Sequence, residues 1–267
     1  MSITGFRVKR SGGISHVIME VEGVPVISLE NYVSLVEGLI EEGQRQDVGV
    51  VVLSGVPGKF FFGMNLSEIE KLKTRSKTRG ITGMVQDLLN TLESVPAFLL
   101  CAVDGYCFGG GLELIMSFHM VLATPQSKFA LPEIKAGTIP SYGGTQRLPR
   151  LIGRNRALKM MVMGEPISAK QAFDWGLVTE IVEQEALRSR TRQLAEQLAK
   201  LSRPAVKALL DSVIGGLNLP MAGGLNVESM NSSRLAGGED LREGIRAFFE
   251  KRAPRFPSVQ ISSEGSH

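Results

Sequence analysis

The sequence predicts an α/β fold, with a core over residues 1–195 followed by a helical part over residues 196–257. Three observations carry this. Short apolar runs of strand length alternate with stretches of helical period in the first part of the chain. From Arg154 onward the balance tips to helical patterns. The chain has 267 residues, 43% apolar and 21% charged, enough to bury a large core.

Residues 17–21 and 50–53 read as strands, and 29–42 between them carries Tyr32, Leu35, Val36, Leu39 and Ile40 at helical spacing. The chain thus begins as a β-helix-β unit. Residues 54–65, Ser-Gly-Val-Pro-Gly-Lys-Phe-Phe-Phe-Gly-Met-Asn, form a loop punctuated by Gly and Pro, leading to a charged helix over 67–75 and another near 84–94. Residues 97–103 make a buried strand. The turn Asp104-Gly-Tyr-Cys-Phe-Gly-Gly-Gly111 opens a helix over 112–117, and 120–124 is a further strand. Residues 129–150 form a long Gly- and Pro-rich segment of the kind that carries function in a compact domain. Helices are predicted at 157–163, 168–175, 185–202, 204–215 and 240–251, and 258–267 reads as a disordered polar tail.

The net charge is 30 − 27 = +3, which permits an anionic ligand but lacks the dense basic run expected of a nucleic-acid binder. No apolar run approaches the roughly 18 residues of a membrane span, so no membrane partner is expected. The first ten residues have no apolar signal core, and Cys101 and Cys107 form no metal-type or disulfide pattern, which together point to a reducing cytoplasm. His16, His119 and His267 are the only histidines, with no His-Glu-x-x-His, so no metal is expected. Gly-x-Ser-x-Gly, Gly-Lys-Ser/Thr and Gly-x-Gly-x-x-Gly are all absent, which counts against hydrolase triads, nucleotide hydrolysis and nicotinamide chemistry.

Two Gly-bearing loops and two carboxylates remain. Gly109, Gly110 and Gly111 stand at the mouth of a helix, where the Gly110 amide can face a ligand oxygen. Met64, after Gly63, offers a second amide from a separate loop. Two such donors on one carbonyl oxygen would stabilise an enolate formed from a thioester. Glu113 lies one turn into the helix, and Glu133 follows 20 residues later. Paired carboxyls can divide acid and base work, because burial and mutual repulsion separate their affinities for protons. Structural roles fit the same residues: packing glycines, a helix N-terminal charge at Glu113, a surface pair of Glu133 with Lys135, a core histidine at His119. Phe60, Phe61 and Phe62 suit either core or acyl-pocket wall.

Residues 103–114, Val-Asp-Gly-Tyr-Cys-Phe-Gly-Gly-Gly-Leu-Glu-Leu, and 131–150, Leu-Pro-Glu-Ile-Lys-Ala-Gly-Thr-Ile-Pro-Ser-Tyr-Gly-Gly-Thr-Gln-Arg-Leu-Pro-Arg, resemble the enoyl-CoA hydratase/isomerase (crotonase) family. The resemblance continues through 167–178 and 242–252 and spans roughly 50–257 in order and spacing. It implies a crotonase-like spiral of ββα units, with a C-terminal helical region that trimerises, commonly as a dimer of trimers. It implies an oxyanion hole at Met64 and Gly110. Glu113 would activate a water for attack at Cβ, and Glu133 would deliver the proton to Cα. Phe62, Gly109, Ser141, Tyr142 and Lys251 become candidate substrate-binding residues. No cofactor is implied; coenzyme A or phosphopantetheine would arrive as part of the substrate. Family members that only move a double bond commonly lack a glutamate at the position of Glu113, so the pair favours hydration or dehydration over isomerisation.

Several positions depart from the family pattern. The segment 21–30, Val-Glu-Gly-Val-Pro-Val-Ile-Ser-Leu-Glu, is a shortened version of a loop that helps to hold coenzyme A. A dehydratase acting on β-branched intermediates carried by acyl carrier protein is therefore an alternative, with an enoyl thioester isomerase as another. Met64 and Asn65 replace a common Ala and Asp, Ser141 and Tyr142 stand where Gly-Ala or Gly-Phe is usual, and His119 replaces a frequent Asp. Some proteins of this fold bind RNA, and 71–79, Lys-Leu-Lys-Thr-Arg-Ser-Lys-Thr-Arg, supplies basic charge. Without interleaved aromatics that stretch reads as a solvated helix face near the phosphates of coenzyme A.

Overall fold

The computed structural model describes residues 3–65, 67 and 74–260. Along the chain run β1 (Ile3–Ser11), β2 (Ile14–Val21), β3 (Val26–Ile27), α1 (Leu29–Gln44), β4 (Val50–Ser54), β5 (Gly63–Met64) and α2 (Arg75–Glu93). Then come β6 (Phe98–Val103), β7 (Tyr106–Phe108), α3 (Gly110–Ile115), β8 (Met120–Ala123), β9 (Lys128–Ala130), a single 3-10 turn (Glu133–Ala136), α4 (Gly144–Ile152) and α5 (Arg154–Met163). The rest is β10 (Ile167–Ser168), α6 (Ala169–Asp174), β11 (Glu180–Ile181), α7 (Gln184–Leu198), α8 (Arg203–Gly216), α9 (Met221–Leu235), α10 (Glu239–Phe249) and α11 (Pro257–Gln260).

The main sheet has the order β1-β2-β4-β6-β8-β11. Its β1-β2 pair is antiparallel and the remaining pairs are parallel. Parallel strands covered on both faces read as continuous apolar runs, because alternate side chains enter different cores. Val51, Leu53, Leu99, Cys101 and Val103 face the larger core. Val50, Val52, Leu100 and Ala102 join Leu187 and Ala195 of α7 on the opposite face.

After each of β4, β6 and β8 the chain adds a short strand to a second layer before returning. In that layer β5 pairs with β3, β7 pairs with β9, and β9 pairs with β10. Phe61 bridges the first pair to β7: its N–H donates to Tyr106 O (2.8 Å) and its carbonyl accepts from Phe108 (2.9 Å). This stacking brings the loop ending at Met64 beside the loop ending at Gly110. On the inner side α1, capped by Ser28 Oγ accepting from Asn31 N–H, buries the face formed by Tyr32, Leu35, Val36 and Leu39.

Several elements differ from the sequence expectation. β1 lies where no strand is predicted from the sequence; Phe6 and Val8 are half-buried while Arg7 and Lys9 are exposed, the alternation of an edge strand. The segment 129–150 is not one loop, since it holds the end of β9, a 3-10 turn and most of α4. The helix near 84–94 starts earlier, at Arg75, where Thr74 Oγ1 accepts from Lys77 N–H. The helix expected at 67–75 lies largely outside the described residues. α9 was missed because its glycines interrupt the apolar pattern; a Cβ on Gly224 would stand 3.6 Å from Gly216 Cα in α8, so the two helices approach at backbone distance. The expected domain boundary at 195 falls within α7. Residues 258–260, expected to be part of a disordered tail, belong to α11, where Ser258 N–H donates to Asp240 Oδ1 (3.1 Å) and Ser258 Oγ accepts from Arg203 N–H (3.3 Å); 261–267 lie outside the described residues.

Candidate active site

Gly109 ends β7 with φ +52, a left-handed conformation that lets the chain turn sharply into α3. Its N–H donates to Ala130 O (2.9 Å), tying the turn to β9. A Cβ there would lie 3.2 Å from Glu133 Oε1 and 4.0 Å from Gly63 Cα. Gly110 begins α3, and a Cβ on it would stand 3.3 Å from Met64 Cγ and 3.6 Å from Tyr142 Cδ2. The glycine step, the Met64 loop, Glu133 and Tyr142 therefore meet at one place. The Gly110 N–H belongs to the first turn of a helix, where backbone donors have no intrahelical acceptor. Asn65 N–H donates to Ile27 O (2.8 Å), so alternation along β5 turns the Met64 N–H away from β3.

Glu113 is 2% exposed in α3. Its Oε1 accepts from the amides of Tyr142 and Gly144, both at 2.8 Å. Burial pushes its carboxyl up to about 8 against the pull of the Gly144 amide, with the Glu133 charge adding to the rise and the Tyr142 amide and Arg147 charge opposing it. Glu133 opens the 3-10 turn. Its Oε2 is buried without a donor among the described residues. Burial raises its carboxyl to about 7. Two carboxyls titrating this close to neutrality form a pair that can hold a single proton between them.

The remaining candidates divide. Tyr142 is at the site, through its amide on Glu113 and its ring over Gly110, and Ser141 beside it accepts from Gln86 Nε2 (2.8 Å). Phe62 is 42% exposed and packs on Tyr106 and Phe108, whereas Phe60 and Phe61 are fully buried in the core. Lys251 is exposed, in a left-handed turn after α10, and none of the hydrogen bonds holding Glu113 involves it. His119 is a core residue: Nδ1 accepts from Leu99 N–H (2.9 Å), the ring stacks edgewise on Phe98, and burial holds its pKa down at about 4. Asn65 accepts from Ser67 N–H (3.1 Å), and Cys101 and Cys107 are free and buried. Among the described residues no cluster of three or more His, Cys, Asp or Glu could hold a metal ion, and no helix is long and apolar enough to cross a membrane.

Two contributors were not singled out from the sequence. Tyr32, read as core, donates its hydroxyl to Gly110 O (3.1 Å) and packs on the Phe61 and Tyr142 rings. Its only signal was a phenol on an apolar helix face, where a buried O–H needs an acceptor. Gly144, in the segment 131–150, brings its backbone so close to Glu113 that a Cβ would lie 2.9 Å from Oε1.

The enoyl-CoA hydratase/isomerase family model matches residues 24–259. A probable enoyl-CoA hydratase of Bacillus subtilis (strain 168) is 36% identical over 214 residues, covering 79% of this chain and 83% of the relative. A mitochondrial enoyl-CoA hydratase of Pongo abelii is 33% identical over 231 residues, covering 84% and 79%. A solved enoyl-CoA hydratase structure from Geobacillus kaustophilus HTA426 superposes with a TM-score of 0.90 at 30% identity, covering 96% of this chain and 99% of that one, so the fold is the crotonase fold. The chain is a member of the enoyl-CoA hydratase/isomerase family.

Proposed function

We propose that the protein adds water across, or removes it to form, the α,β double bond of an acyl thioester. The observation that carries this reading is the pairing of Glu113, fixed by the Tyr142 and Gly144 amides, with Glu133, which keeps a donor-free oxygen and lies against the Gly109 turn. In the hydration direction, the thioester oxygen receives hydrogen bonds from the Met64 and Gly110 amides, which polarise the enoyl system. Glu113 takes a proton from the water as its oxygen bonds to Cβ, and the electrons move to the thioester oxygen as an enolate. Glu133 then protonates Cα, so the proton lost by the pair is the one gained from water. Dehydration runs the same steps backwards with the roles exchanged.

Replacing either glutamate by Gln tests this. Hydration of crotonyl-CoA, followed by loss of enoyl absorbance, should fall by roughly 10²–10⁴-fold in each variant with the fold intact. Turnover by Glu133→Gln at the unmutated rate would refute the assignment. An isomerase with the same oxyanion donors would shift the double bond without a gain of water in mass.

The carrier and the assembly belong to the same proposal. Between β2 and α1 the chain has only the short β3 strand, which leaves little loop to hold an adenine nucleotide and keeps acyl carrier protein as an alternative to coenzyme A. Comparing one acyl group on both carriers decides between them. Phe248 and Phe249 of α10 are 78% and 77% exposed beside an apolar cleft of about 830 Å³, a surface that supports trimerisation, as a homotrimer or a dimer of trimers. The free buried thiols support a cytoplasmic setting.

A further inference from the structure

One face of α2 carries Gln86, Asn90 and Glu93, four and three residues apart, and all three reach the turn that precedes α4 or the first turns of that helix. Gln86 Nε2 donates to Ser141 O (2.8 Å). Arg147 of α4 donates through Nη2 to Asn90 Oδ1 (2.7 Å) and Glu93 Oε2 (3.1 Å), and through Nε to the same Glu93 oxygen (3.3 Å). The Arg147 side chain is only 13% exposed, and its bonds to Glu93 are partly buried, while that to Asn90 is open to solvent. Arg147 N–H also donates to Gly143 O (2.8 Å). At Gly143 φ is +114, and a Cβ would collide with the Arg147 guanidinium. The amides flanking Gly143, those of Tyr142 and Gly144, are the two donors to Glu113 Oε1.

We propose that Arg147 is a positioning residue: clamped by Asn90 and Glu93, it locks the Gly143 turn so that both flanking amides stay aimed at the Glu113 carboxylate, and it supplies a fixed positive charge to that carboxylate. The assignment rests on the hydratase reading, in which Glu113 exchanges a proton with water. The groups that bear electrostatically on Glu113 or share its pocket are Glu133 from the 3-10 turn, Tyr32 from α1, Tyr142 from the turn before α4 and Arg147 from α4, with Glu93 of α2 behind Arg147. Arg147 is the cation of this set. It offsets the Glu133 charge and favours the ionised form of Glu113.

Three variants test the role. Arg147→Met removes both charge and clamp; Arg147→Lys keeps the charge without the two-armed grip; Glu93→Gln leaves the guanidinium uncompensated. Arg147→Met should lower kcat by roughly 10–100-fold with KM within about threefold, and move the alkaline limb of the rate profile to higher pH. Arg147→Lys should bring that limb part of the way back, with only part of the rate. Glu93→Gln should move the limb the opposite way, to lower pH, which keeps the question answerable if Arg147→Met does not fold.

A readout independent of turnover is the ¹³C carboxyl titration of Glu113, assigned with Glu113→Gln. It should rise by at least about half a pH unit in Arg147→Met, rise by less in Arg147→Lys and fall in Glu93→Gln. If the unmutated protein hydrates no thioester while the titrations move this way, the hydratase reading fails and the positioning role stands. A Glu113 titration unmoved in folded Arg147→Met and Glu93→Gln overturns the positioning role, whatever the activity.

Discussion

At the residue scale, the proposed hydratase chemistry depends on keeping one proton between Glu113 and Glu133. Their carboxyls sit at about 8 and about 7, both raised from 4.5 chiefly by burial. Below about 7 both become protonated and no base remains; above about 8 both are ionised and no acid remains. Hydration should therefore follow a bell centred between these values, measurable as kcat/KM from pH 5 to 10. The single proton serves dehydration when it lies on Glu113 and hydration when it lies on Glu133.

The same raised values make a stability prediction. Between about 4.5 and 8 the folded protein binds more protons at these carboxyls than the unfolded chain does, so their contribution to stability falls as pH rises through that window. Glu113→Gln keeps an acceptor for both amides and removes the buried charge. Its denaturation midpoint should gain on the unmutated protein from pH 5 to pH 9, and equal differences at the two pH values would contradict this origin for the shift.

At the scale of elements, the site is where two turns of the spiral and α4 converge, and α4 sets the acceptor geometry. Gly144→Ala would thrust a Cβ within 2.9 Å of both Glu113 Oε1 and Pro140 Cβ. It should lower kcat by roughly tenfold or more, with a smaller change in KM, because the carboxylate shifts while the thioester site stays. The core strands and the helical faces were legible in the sequence because burial on both sides leaves an uninterrupted apolar run, and Tyr32 to Ile40 keep one helical face. β1 and α9 were not, because an edge strand displays charges and close helix packing replaces apolar side chains with glycine. Glu113, Glu133, Met64 and Gly110 could be named from a motif. The roles of Tyr32 and Arg147 could not, since both act through contacts with residues 50 or more positions away in sequence.

At the scale of the molecule, the C-terminal helices leave Phe248 and Phe249 on the surface next to an apolar cleft, an arrangement that a second copy of the chain would cover. On the proposed trimeric reading, the unmutated protein should scatter light as an oligomer, and replacing both by Ser should lower that mass to a protomer's. An oligomer mass unchanged by the replacement would place the interface elsewhere, and a protomer mass for the unmutated protein would refute the assembly. The rival reading as an RNA-binding protein predicts salt-sensitive RNA affinity without thioester turnover. The described part of the basic stretch, 74–79, is exposed, as a solvated helix face would be.

The central claim, that Glu113 and Glu133 handle one water molecule, is tested most directly by incubating the unmutated protein and Glu133→Gln with crotonyl-CoA in D₂O, with mass analysis of the product. The claim predicts that the unmutated protein forms the 3-hydroxyacyl thioester carrying one deuterium at Cα, and that the variant, folded, forms it roughly 10²-fold or more slowly. Equal rates of hydrated, Cα-deuterated product from both proteins would contradict it.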